Sequence, residues 1–103
     1  FSIFLSAITL AELEYGVSKS RDRELNRFAL VEFAAPFEIV PFTDGDAEVF
    51  GIIRVQLERE GHIIGAYDMQ IAAQALSRGL VLVTNNTKEF ERVPKLKLEN
   101  WTV

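Results

Sequence analysis

The chain has 103 residues, 15 acidic side chains against 11 lysines and arginines, and a formal charge of −4 at neutral pH. At 49% hydrophobic it can bury a core in one domain, which excludes a disordered chain. It lacks cysteine, which excludes disulfides and thiolate metal sites and suits a cytoplasmic protein, and its acidity disfavours broad nonspecific nucleic-acid binding.

Residues 1–5 are apolar but too short and without the basic flank of a signal peptide. No apolar run approaches membrane-spanning length. The sequence opens at Phe1 within what reads as a strand over Ser2 to Ala7, so the natural N-terminus is expected upstream. Thr9-Leu10-Ala11-Glu12 has the capping-box pattern and predicts a helix through about Val17. A polar break at 18–22 precedes a second helix, about Arg23 to Ala35. There Leu25, Phe28, Ala29 and Phe33 recur at helical spacing, and Pro36 ends the run. Phe37 to Phe42 reads as a short strand. Asp44 and Asp46 then offer caps for a long helix, Ala47 to Glu60, with Val49, Phe50, Ile53 and Leu57 as its buried stripe and Gly61 as its stop.

His62 to Tyr67 reads as a loop and Asp68 to Arg78 as a helix closed by Gly79, with Ile71, Ala72, Ala75 and Leu76 inward. Leu80 to Thr84 is a fully apolar strand of the kind found inside a parallel sheet. A turn at Asn85 to Lys88, a helical turn from Glu89 to Arg92, and a last strand from Lys97 with Trp101 complete the chain. Strands alternating with helices argue for an α/β fold around a mostly parallel sheet.

Three acids stand near strand ends and helix starts, where ligands bind in open α/β sheets: Glu12, Asp68 and Glu89. Gathered carboxylates suit magnesium or manganese, which take hard oxygen donors and help hydrolyse phosphodiesters. Each acid also has an ordinary explanation. Glu12 fits the third position of a capping box, Asp68 fits a helix cap favoured by the dipole, and Glu89 fits a solvated face. Thr84 is either a ligand-facing hydroxyl or a plain strand residue, and Asn86 suits a turn. The sole histidine, His62, reads as an exposed loop residue, so zinc is disfavoured. Glycine-rich phosphate loops are missing from the sequence. Basic residues cluster at Lys19, Arg21, Arg23 and Arg27 and again at Lys88, Arg92, Lys95 and Lys97. Each group is either a solvated face or, for the second, a grip on an RNA backbone beside Glu89.

Three stretches together resemble the PIN-domain ribonucleases, and within them the VapC toxins of bacterial VapBC toxin–antitoxin modules. They are Ile8 to Val17, Ile64 to Ala73 and Leu82 to Phe90, with a similar ending at Val93 to Trp101. The resemblance implies a single PIN-like domain over 1–103. Its fold would be a three-layer α/β/α sandwich with a mostly parallel central sheet, lacking an N-terminal strand and helix. It implies a magnesium-dependent endoribonuclease that cleaves RNA, transfer RNA included, with metal-activated water, manganese being the alternative ion.

In that pattern Glu12, Asp68 and Glu89 are catalytic and hold the metal, and Thr84 and Asn86 orient water or phosphate. The family's first acid, in an Asp-Thr-Asn motif, is not in this sequence. Its fourth is commonly an aspartate, where this chain has Glu89, with Asn86 as the other claimant. Implied partners are a VapB-type antitoxin and a second copy in a homodimer. Leu13, Phe28 and Phe33 are the candidates for an antitoxin groove or, alternatively, for plain core packing. A rival expectation from another class is a degenerate PIN-like module that serves only as a protein-binding scaffold.

Overall fold

The computed structural model describes residues 4–84 and 86–100. The chain divides into two compact units, Phe1–Pro41 and Phe42–Val103. Among the described residues no helix is long and apolar enough to cross a membrane.

The first unit holds β1 (Phe4–Ser6), α1 (Ala7–Lys19), α2 (Arg23–Ala34) and β2 (Glu38–Val40). The two strands pair in parallel, with Leu5 opposite Ile39, so the two helices form the crossover that parallel pairing requires. The first helix begins earlier than the capping-box pattern suggests. Ser6 is its N-cap, accepting from the Ile8 amide at 3.0 Å, because the serine closes β1 and its hydroxyl reaches the first turn. Thr9 and Glu12 therefore both lie inside the helix, and the capping role considered for Glu12 is ruled out. Asp22 caps α2 through the Leu25 amide. Val17 and Leu30 are buried, whereas Leu25, Phe28 and Phe33 are exposed by more than half.

The second unit holds α3 (Asp44–Glu60), α4 (Ala66–Arg78), β3 (Leu82–Val83), α5 (Thr87–Phe90) and β4 (Leu98–Glu99). Thr43, not either aspartate, caps α3. Asp46 completes the reciprocal box as its third residue, and Gly61 ends the helix in the left-handed region at φ 69°. The expected stripe holds: Ile53 and Leu57 are buried, with Val49 and Phe50 packed against the same cluster. Ala72 and Ala73 are fully buried, small enough for α4 to lie close against α3. Ile64, Met69, Phe90 and Val93 complete this core.

The expected strand over Leu80 to Thr84 contracts to Leu82–Val83, which pairs in parallel with β4. Val81 and Val83 are exposed, so within this unit one face of the run is uncovered and the even-numbered residues point to the core side. Asn85 and Trp101, expected in a turn and in the last strand, lie outside the described residues.

Candidate functional site

Asp68 and Glu89 meet in the second unit. The helix carrying Asp68 begins two residues before the expected start, with Gly65 as its N-cap, so Asp68 is not the cap. It occupies the third helical position, in the first turn, where the dipole favours an acid. Glu89 sits on the short helix α5. Its Oε1 accepts from the Gly65 amide at 3.0 Å, and its Oε2 accepts from the Asn86 Nδ2 at 2.7 Å. A β-carbon added to Gly65 would lie 3.8 Å from Asp68 Oδ2 and 3.8 Å from Glu89 Oε1. The two carboxyl groups thus both lie over the same glycine.

Glu89 is held below the ordinary carboxylate range. The Gly65 N–H does most of this, partial burial opposes it, and the Asn86 amide, the Asp68 carboxyl and the Arg92 charge add to it. Glu89 is therefore ionised at neutral pH. Two carboxylates that face one point gain from a cation between them. The donors are all oxygen, and magnesium takes one or two carboxylates while keeping several waters, so this pair fits such an ion. Among the described residues of either unit, no three His, Cys, Asp or Glu side chains come together as a metal-binding group.

Thr84 and Asn86 support Glu89 in series. The Asn86 amide donates to Thr84 Oγ1 at 3.0 Å, which bends the chain after β3, and the Asn86 side chain then holds Glu89. The Asn86 side-chain amide thus positions the Glu89 carboxylate. Arg92 donates to the Ile63 carbonyl at 3.0 Å, tying α5 to the loop before Gly65. Lys88, Arg92, Lys95 and Lys97 are all exposed on this unit.

Glu12 stands on α1 in the first unit, exposed and, among the described residues, without an ion-pair or hydrogen-bond partner. The first basic cluster has local uses: Arg27 pairs with Glu14, and Lys19 lies over the Tyr15 ring at 5.7 Å. Gly65, whose amide holds Glu89, is the contact that the sequence did not single out. Its signal was a glycine at a helix N-cap, where Ser, Thr, Asp or Asn would bond the first turn. With φ −58° the backbone does not demand glycine, and a β-carbon there would make ordinary contacts of 3.8 Å with the Asp68 and Glu89 carboxylates.

These features belong together in one class of protein, and the chain belongs to the PIN-domain family, which matches it over residues 1–96. Its relatives within that nuclease family are VapC proteins. Ribonuclease VapC2 of Rickettsia felis is 47% identical over 100 residues, covering 97% of this chain and 75% of that protein. The tRNA(fMet)-specific endonuclease VapC of Shigella flexneri is 42% identical over 98 residues, covering 95% and 74%. The crystal structure of VapBC2 from Rickettsia felis, bound to a DNA fragment from their promoter, matches with a TM-score of 0.95. That match has 46% identity and covers 98% of this chain and 76% of that one.

Proposed function

We propose that this protein is a cytoplasmic, metal-dependent endoribonuclease toxin of the VapC type. The observation that carries the reading is the Asp68–Glu89 pair converging above Gly65. Asp68 and Glu89 would hold a magnesium ion, with manganese as a substitute. Glu12 is proposed as a metal ligand on the strength of the family pattern. A bound ion of this kind polarises a phosphodiester and lowers the pKa of water. Asn86 fixes the Glu89 carboxylate through a hydrogen bond, and Thr84 fixes Asn86 in turn. The exposed bases Lys88, Lys95 and Lys97 suit an RNA backbone, which makes binding weaken as salt rises.

The test is RNA cleavage with magnesium and with the ion chelated, using transfer RNA among the substrates because the Shigella flexneri relative is specific for one. Cleavage undiminished by chelation sinks the metal assignment.

An antitoxin of the VapB type is the proposed protein partner, and a homodimer the proposed assembly. The shallow apolar groove between α1 and α2, lined by Leu13, Gly16, Ala29 and Phe33 with Phe28 exposed on the same helix, supports a protein docking surface. Its exposure disfavours the alternative of core packing for Phe28 and Phe33.

Gly65→Ala gives a separate check. Its backbone angles suit alanine, so melting should change little, while the methyl would stand in van der Waals contact with both carboxylates, 3.8 Å from each. Cleavage should fall by about tenfold or more, on the scale of a disturbed outer-shell contact. Full activity in this variant would show that the reaction does not use the space directly over Gly65.

A further inference from the structure

Arg92 stands in the second basic cluster, yet its guanidinium is turned to its own chain. Nη1 donates to the Ile63 carbonyl at 3.0 Å. Two residues further along the same loop, the Gly65 amide donates to Glu89 Oε1 at 3.0 Å. Residues 63–65 are thus tied twice to residues 89–92, in opposite senses: Glu89 accepts from an N–H and Arg92 donates to a C=O. Between the two ties, the Ile64 side chain is buried in the same core as Phe90 and Val93. The Ile63 side chain is 59% exposed, so burial does not fix that residue. Ile63 lies between α3 and α4, where helical hydrogen bonding supplies its carbonyl with no partner. The Arg92 charge also favours the ionised form of Glu89. Lys88, Lys95 and Lys97 differ from it: they are exposed and, among the described residues, form no ion pair.

We infer that Arg92 is a positioning residue for RNA cleavage: by holding the Ile63 carbonyl it keeps the Gly65 N–H on Glu89, and so fixes that carboxylate beside Asp68. It acts through the loop and does not touch the RNA. The inference rests on the proposed nuclease site and adds to it a residue outside the acids and their amide support. Its signature differs from that of an RNA-binding arginine. Loss of a phosphate contact raises KM and makes RNA binding less dependent on salt, by about one ion per contact. Loss of a positioning contact lowers kcat and leaves both of those alone.

The test is Arg92→Met, which keeps a long stem to cover the surface and has no donor. In the metal-free protein, hydrogen exchange followed by NMR should show the Gly65 amide exchanging about fivefold faster or more, the factor that one net hydrogen bond supplies. Amides in the middle of α3 and α4 should exchange as in the parent. With magnesium, kcat should fall about tenfold, the scale of a lost outer-shell contact, with the KM for RNA and the salt dependence of binding unchanged. Arg92→Lys still offers an N–H to the same carbonyl and should recover most of both losses. Gly65 exchange at the parent rate in Arg92→Met would overturn the inference, as would a raised KM with kcat intact. Faster exchange of the α3 and α4 amides in step with Gly65 would also overturn it, by showing a general loosening. A parent that cuts no RNA would overturn the nuclease reading, and the exchange result alone would then decide whether Arg92 holds Gly65 on Glu89.

Discussion

Asp68→Asn should reduce RNA cleavage on the order of 10²- to 10³-fold, about 3–4 kcal/mol of transition-state stabilisation, while the protein melts as the parent does. The substitution keeps the shape of the side chain and removes a charge and a hard donor at the point the two acids share. Glu89→Gln should lose activity on the same scale and also cost about 1 kcal/mol of stability. A glutamine offers one acceptor oxygen and one amide. The amide would face a donor, either the Gly65 N–H or the Asn86 Nδ2. The pH dependence separates the two variants further. Glu89 titrates below its ordinary value, so the stability it contributes is present above that ordinary value. It is lost as pH falls through the lowered one. Melting curves taken down to acid pH should therefore flatten in Glu89→Gln. Single-turnover cleavage with excess enzyme reads the chemical step. Wild-type rates in Asp68→Asn would remove the proposed site.

The order of elements was legible because hydrophobic period and punctuation agree along most of the chain. Ile53 and Leu57 followed from their spacing, and Gly61 and Gly79 from their place after the last apolar residue. Helix starts were less legible because several polar residues compete to cap one helix, and only geometry decides. Ser6 displaced Thr9, Thr43 displaced both aspartates, and Gly65 displaced Asp68. Those shifts bear on function: moving the first cap three residues back, from Thr9 to Ser6, stripped Glu12 of its capping role. The meeting of Asp68 with Glu89 depends on α5 lying against the loop before α4. It is a long-range contact that the pattern of either segment alone does not encode. The exposure of Phe28 and Phe33 was equally hidden, since helical spacing gives a stripe but not what covers it.

Asp46→Ala should lower stability by about 2–4 kcal/mol, roughly 10–20 °C in melting temperature, without touching the cleavage chemistry. Asp46 is fully buried, and its Oδ2 accepts from the Thr43 amide at 2.9 Å and from the Arg78 guanidinium at 3.0 Å. It thereby closes the capping box of α3 and ties that helix's first turn to the last turn of α4. Burial pushes the carboxyl up, yet the Arg78 and Thr43 bonds outweigh it and hold the group below its ordinary value of 3.8. The pair therefore favours the folded state above that value and loses its contribution as pH falls through the lowered one. Oδ1 is buried without a hydrogen-bond partner, so the arrangement already carries a desolvation cost. That cost explains why Asp46→Asn should be milder, about 1–2 kcal/mol: it keeps an acceptor for Thr43 and removes the charge. Arg78→Ala should cost at least as much as Asp46→Ala. The arginine is 31% exposed and can turn to water when its partner is lost, whereas the carboxylate is 1% exposed and cannot. Thermal melts of the three variants at neutral pH, with cleavage assayed well below each midpoint, give the ranking. An Asp46→Ala protein that melts with the parent would mean the two helices hold their hairpin by apolar packing alone.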